Sequence, residues 1–236
     1  NARVNLNKQT RPQHTRRRRC SVAPKRVLSG MGDVAKEASR LARHSMEAFS
    51  VFPYFTVANA KTDHQKSLQI LLLELKHGGQ VSHSDGSLEN LTSWFARELQ
   101  SRMVNLIPKE FLGPHTFLVP MPTSSITPLP PSRSAWPMFD VSMLLAEAKV
   151  VGGAGAALVR HAAVPKTHLA VAAERPSVET HANSFTVDLR AIPLGSDITI
   201  LDDVLSSGTN AMGARLALTR AGFKGVARVV TATHTV

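Results

Sequence analysis

One run near the carboxyl end restricts the fold more than any other. Ile198, Thr199, Ile200 and Leu201 read as an apolar strand that delivers Asp202 and Asp203 to its carboxyl end, and a short hydroxyl-and-glycine loop then opens a helix from Asn210 to Ala221. Ala211, Ala214, Leu218 and Ala221 fall on one face of that helix, and Gly222 sits where a carboxyl-terminal cap belongs. Val226 to Ala232 is a second strand. Strand, helix and strand in this order predict a βαβ unit with a right-handed crossover in a parallel sheet. Only 5% of residues are aromatic, which suits helices packed on a parallel sheet better than an aromatic-rich sandwich.

The remaining elements follow from periodicity. Val34, Ala38, Leu41, Ser45 and Phe49 recur at helical spacing from Ser29 to about Phe52, where Pro53 would end the helix. Asp63 is a candidate N-cap for a short buried helix over Leu68 to Leu75, stopped by Gly78 and Gly79. After a polar turn at Ser82 to Ser87, the positions Leu88, Leu91, Phe95, Leu99 and Met103 predict a helix that ends before Pro108. Thr116 to Val119 predicts a buried strand leading into the tight loop Pro120 to Thr123, and Thr123 to Pro137 reads as loop. Met138 to Val150 is helical in spacing, and Ala156 to Val159 is strand-like. Arg160 to Val187 has no periodicity and predicts a functional loop or lid in which Lys166, Arg175 and His181 are cations.

The loop between Asp203 and Asn210 has the chemistry of a phosphate cradle. A helix amino terminus offers unpaired N–H groups and partial positive charge. Ser206, Ser207 and Thr209 add hydroxyl donors, and Gly208 lets the backbone curl toward an anion. Two carboxylates beside such a cradle would repel a bare phosphate. They fit a ligand that also carries hydroxyls or a divalent cation, as ribose 5-phosphate bearing a Mg²⁺-bound pyrophosphate does. The Gly-x-x-x-x-Gly-Lys-Ser/Thr pattern of a P-loop is absent, as is the Gly-x-Ser-x-Gly of serine hydrolases. The plainer alternative is a strand-to-helix connection capped by Asp203 or Ser207.

The segment Ile198 to Asn210 resembles the motif by which type I phosphoribosyltransferases bind phosphoribosyl pyrophosphate (PRPP): a hydrophobic strand, two acidic residues, then a Thr/Ser-Gly-Thr loop. The resemblance implies that Asp202 and Asp203 hold the ribose 2- and 3-hydroxyls and act at the reacting sugar. It also implies that Ser206, Ser207, Gly208 and Thr209 hold the 5-phosphate. Upstream, Leu75-Lys76-His77-Gly78-Gly79, Leu118-Val119-Pro120-Met121-Pro122 and Arg175 with His181, Asn183 and Phe185 are similar, in order, to the ComF-like branch with its Leu-Lys-Tyr-Gly-Gly, Val-Pro-Val-Pro and Arg-x-x-Asn-x-x-x-x-Phe stretches. Lys76 and Arg175 thereby join the expected substrate-binding residues, although a lysine snorkelling at a helix end and an arginine on a surface loop are the bland readings. The four-cysteine zinc module usual in that branch is missing, and of its Arg-Gly-Phe-Asn-Gln stretch Arg133 is at best a remnant.

Charge is unevenly distributed. Residues 1–30 hold nine Lys or Arg residues and no Asp or Glu, against a net charge of +11 for the whole chain. A basic tail on a near-neutral body reads as an arm for nucleic acid or anionic surfaces, as a targeting segment, or as a solvated extension without a partner. Cys20, the single cysteine, excludes an internal disulfide and fits a reducing cytoplasm. No apolar stretch approaches the roughly 18 to 20 residues of a spanning helix, so no membrane association is expected.

These readings converge on an α/β protein with a parallel-sheet type I phosphoribosyltransferase-like core at 111–236, a helical hood or interface region at 29–110, and a basic, disordered tail at 1–28. The expected activity is transfer of ribose 5-phosphate from PRPP, bound with Mg²⁺, to an acceptor that the sequence does not identify. No protein ligand to the metal is assigned. Two alternatives stand beside it. One is a non-catalytic PRPP- or nucleotide-sensing module that binds nucleic acid through its tail; the other is a homo-oligomer or larger assembly docked through Ser29 to Phe52.

Overall fold

A computed structural model describes residues 18–19, 46–54, 62–103, 107–165, 175–205 and 207–235. The predicted helix at 29–45, most of the basic tail, Cys20, Lys166 and Ser206 lie outside the described residues.

The chain is α/β, with five parallel strands at its centre. Strand β1 (Arg18–Arg19) pairs antiparallel with β2 (Glu47–Tyr54), and the sheet runs β1-β2-β10-β9-β5-β6, with β5 at Thr116–Pro120, β6 at Gly153–Ala154, β9 at Asp197–Leu205 and β10 at Ala227–Thr235. Helix α1 (Asp63–Lys76) is followed by a small hairpin of β3 (Gln80–Ser82) and β4 (Leu88–Asn90), then α2 (Leu91–Met103) and α3 (Pro137–Glu147). A separate antiparallel pair joins β7 (Leu158–Arg160) to β8 (Phe185–Val187), with α4 (Val178–Asn183) between them and α5 (Thr209–Arg220) after β9.

Both faces of the sheet are covered, which is why its central strands read as continuous apolar runs rather than alternating ones. All five residues of β5 are buried. On one face Phe49, Leu118, Leu201 and Val230 pack with Leu75 of α1, Phe95 of α2 and Val141 of α3. On the other, Phe117, Val119, Ile200 and Val229 pack with Ala182 of α4 and with Ala214 and Leu218 of α5. Strands β5 and β9 are neighbours, yet the chain leaves β5 through α3 toward β6 and leaves β9 through α5 toward β10, on the opposite side. Open α/β sheets generally bind ligands beside such a reversal, at the carboxyl ends of the strands.

Several sequence expectations are corrected. Phe49 is not the last turn of a helix. It sits in β2, opposite Val230 of β10, with Phe49 and Val51 facing one core cluster and Met46 and Ala48 the other. Helical spacing and two-residue alternation both accommodate a single Phe, and pairing with β10 decides between them. Pro53 lies inside this strand. Leu88 belongs to exposed β4, and the helix begins at Leu91. The strand expected at Ala156 to Val159 starts two residues later, as β7, and β6 forms separately at Gly153–Ala154. The stretch from 160 to 187 is not uniformly irregular, because its described part contains α4 and β8. Six helical residues are too few to show a period, and Ser177 starts them by accepting a hydrogen bond from the Thr180 N–H at 3.0 Å.

Candidate functional site

Strand β9 runs four residues beyond its apolar core, so both acids lie within the strand at its carboxyl end, held on β10 by the pairs Thr231 with Asp202 and Thr233 with Val204. Successive side chains on a strand point to opposite faces. Asp203 accordingly reaches toward α1, where the Lys76 ammonium lies 3.2 Å from its Oδ2. Asp202 is buried. Burial and the adjoining Asp203 carboxylate push its pKa well above the usual carboxylate range, with Lys76 acting in the opposite sense. The backbone answers both acids: the Asp203 N–H donates to Asp202 Oδ1 at 2.9 Å, and the Val204 N–H to Asp203 Oδ1 at 2.6 Å.

Immediately downstream, Gly208 occupies the left-handed region, with φ 76° and ψ 0°, and serves as the N-cap of α5 without any side-chain cap. A side chain there would add the left-handed penalty of about 1–2 kcal/mol. Ser207 Oγ and Thr209 Oγ1 lie 2.6 Å apart, and the Thr209 N–H points to Ser207 Oγ at 3.4 Å. The N-cap position itself is Gly208, while the Ser207 side chain still meets the Thr209 N–H, so part of the plainer reading of a capped strand-to-helix connection is met. The first turn of α5 opens behind this glycine, beside exposed Ser207, and a helix amino terminus favours an anion.

The loop after β5 lies beside the carboxyl end of β9. Its start is tied to β9 by the Met121 N–H, which donates to the Leu201 carbonyl at 2.8 Å. The Trp136 indole N–H donates to the Met121 carbonyl at 2.9 Å. Further along, the Thr127 N–H donates to the Arg160 carbonyl at 2.8 Å, while the Arg160 N–H donates to Thr127 Oγ1 at 2.9 Å. The Arg160 side chain is only 1% exposed, although it carries a full charge. Its Nε donates to the Thr123 carbonyl at 2.7 Å, one terminal nitrogen to Ser184 Oγ, and the other to Asn210 Oδ1 at 2.9 Å. The guanidinium also lies 4.2 Å over the Phe185 ring. Burial lowers its pKa to about 10, and the nearby Asp202 works against that fall, so it remains a cation at neutral pH.

Of the residues expected from sequence, Asp202, Asp203, Lys76, Ser207, Gly208 and Thr209 come together here. Arg175 is exposed ahead of α4, and no contact among the described residues carries it to the acidic pair. His181 is corrected from a lid cation to a core residue. It is 5% exposed, and burial together with the Arg160 charge pushes its pKa down to about 4, leaving it neutral at pH 7. Among the described residues neither ring nitrogen has a hydrogen-bond partner. Arg160, Ser184 and Asn210 escaped sequence reasoning as a group. The one signal that could have found them was an arginine directly after the apolar run Ala156 to Val159.

The assembled groups suit a phosphorylated, hydroxyl-bearing ligand. Asp202 offers a buried carboxyl and Asp203 a partly exposed one paired with Lys76, while the glycine turn opens a helix amino terminus, where anions are favoured. No cluster of three or more His, Cys, Asp or Glu that could hold a metal ion occurs among the described residues. Mg²⁺ commonly binds through one or two carboxylates plus substrate phosphates, and the acidic pair has the right oxygen donors for such shared coordination. Among the described residues no helix is long and apolar enough to cross a membrane. The sequence matches no family model and, at a significant level, no curated protein.

Proposed function

We propose that this chain is a phosphoribosyltransferase of the type I, ComF-like kind, which binds PRPP with Mg²⁺ and transfers its ribose 5-phosphate to an acceptor nitrogen. The observation that carries this reading is one of position. An acidic pair followed by a left-handed glycine at a helix amino terminus lies at the carboxyl end of β9, beside the reversal of strand order between β9 and β5. In this reading Asp202 and Asp203 hold the ribose hydroxyls, and Ser206 to Thr209 hold the 5-phosphate. The loop Pro120 to Thr123 faces the pyrophosphate, while Lys76 offsets negative charge at the rim. Pyrophosphate departure builds positive charge on the ribose ring, which nearby carboxylates stabilise, and Mg²⁺ supplies charge neutralisation to the leaving group. The basic residues of 1–28 would add non-specific affinity for nucleic acid.

Calorimetric titration of Mg-PRPP into the protein and into an Asp202→Asn, Asp203→Asn double variant tests the reading. Removing both carboxylate charges, and with them two charge-assisted hydrogen bonds to the sugar, should weaken binding by about a hundredfold. Equal affinities would remove the assignment. A companion assay for pyrophosphate release across a panel of nucleobases separates the two functional classes. Tight binding with no release from any base favours a sensing module, whose uneven charge, nine basic and no acidic residues in 1–30, then predicts salt-dependent binding to nucleic acid that disappears when the tail is removed.

A further inference from the structure

We propose that Arg160 is a positioning residue that clamps the loop after β5 to the first turn of α5, fixing the separation of the two elements between which the ligand lies. The ligand in this inference rests on the phosphoribosyltransferase reading, whereas the clamp itself stands on geometry. A guanidinium presents its donors in a rigid planar fork, so acceptors bound to different nitrogens are held at set positions relative to one another. Here the three acceptors belong to three segments: the Thr123 carbonyl in the loop after β5, Ser184 Oγ at the end of α4, and Asn210 Oδ1 in the first turn of α5. Phe185 lies against the flat face of the fork at 4.2 Å. Asn210 directly follows the Ser207-Gly208-Thr209 turn, and Thr123 follows Pro120, Met121 and Pro122. One side chain therefore bridges the loop after β5 and the first turn of α5.

Placing a cation here is costly. Arg160 is fully buried, and its side chain donates to a carbonyl, a hydroxyl and a carboxamide rather than to a carboxylate. An apolar side chain of similar length would fill the same space without that desolvation cost, so packing alone does not account for arginine. A spacing function does. In PRPP the 5-phosphate and the pyrophosphate lie at opposite ends of the ribose, so a ligand that touches both the loop and the turn senses their separation. A ligand that touches only the α5 turn and the acidic pair does not.

This difference supplies the test. Affinities for Mg-PRPP and for ribose 5-phosphate are measured by calorimetry on the full chain and on Arg160→Met, Arg160→Lys and Asn210→Ala, with folding checked by circular dichroism. Arg160→Met should weaken Mg-PRPP by about tenfold or more while leaving ribose 5-phosphate within about twofold. Arg160→Lys should fail to restore the loss, because a single ammonium cannot span the three acceptors. Asn210→Ala removes only the α5 acceptor and leaves the cation in place, so it should reproduce the selective loss even if Arg160→Met does not fold. Equal weakening of both ligands, or of neither, overturns the clamp. If the unaltered protein binds neither ligand, it is the phosphoribosyltransferase reading that fails, and the clamp is then judged on ligand-free protein by hydrogen exchange. Faster exchange at both 121–127 and 210–212 in Asn210→Ala supports it, and acceleration at one segment or at neither overturns it.

Discussion

Asp202 is a residue whose ionisation works against the fold. Its carboxyl is buried beside a second carboxylate, so its pKa is raised in the folded chain relative to the ordinary 3.8. The folded state consequently holds a proton that the unfolded chain releases near that value. This contribution to stability is complete below pH 3.8 and is lost as pH rises toward and through the folded-state pKa. An Asp202→Asn variant cannot ionise and escapes the loss, about 1.4 kcal/mol for each pH unit separating the two pKa values. Urea unfolding of both proteins at pH 4 and pH 8 should show the variant gaining on the parent toward pH 8. An advantage equal at both pH values would mean that Asp202 ionises as freely in the fold as in the unfolded chain. The acidic pair was legible in the sequence because the strand, turn and helix around it are contiguous in the chain, although its partner Lys76 lies far upstream. Arg160 was not, since its acceptors Ser184, Thr123 and Asn210 lie 24, 37 and 50 positions away.

At the scale of elements, the unit from β9 to β10 emerges much as its sequence predicts, because strand, turn and helix are each specified locally by apolar pattern, glycine and cap. Helix α4 was missed for the converse reason. Its six residues gain their place from packing on α5, through a contact that no local pattern announces. Gly213 is the clearest mark of that contact. A Cβ at this position would lie 2.4 Å from the Cβ of His181, 3.0 Å from the Val178 carbonyl oxygen and 3.1 Å from the Ala182 nitrogen. None of these atoms is the far end of a flexible side chain, so α4 itself would have to move. Gly213→Ala should therefore destabilise the protein despite alanine's better helix propensity, worth roughly 1 kcal/mol, because overpacking costs about 1–3 kcal/mol. The melting temperature should fall, and exchange at 178–183 should accelerate ahead of that of the central strands. A rise in melting temperature would show that the two helices are less closely set.

At the scale of the molecule, residues 47–54 bear on how many cooperative units the described chain contains. The sequence places them in a helical hood separate from a core beginning at 111, whereas in the fold they supply a parallel strand registered along β10 from Ala48 to Tyr54. The misreading has a physical origin: β10 begins at Ala227, far along the chain, and an apolar run too short to show its period is assigned only by its partner. Phe49 shows how tightly this strand is joined to the rest. It is 7% exposed, its ring centroid lies 6.0 Å from that of Phe111, and it shares one apolar cluster with Leu75, Leu118, Leu201 and Val230. Phe49→Ala removes a large buried ring and should cost about 3–5 kcal/mol. If β2 belongs to the same cooperative unit as the site-bearing strands, urea unfolding followed by tryptophan fluorescence and by circular dichroism should show one shared transition displaced to lower denaturant, with β9 and β10 amides exchanging faster together. A detachable hood would behave differently, giving an early transition of its own while the main transition and the protection of β9 stayed in place. The first outcome would also tie ligand affinity to residues far from the candidate site, because the carboxyl end of β9 that carries Asp202 and Asp203 is held by β10, and β10 in turn is flanked by β2.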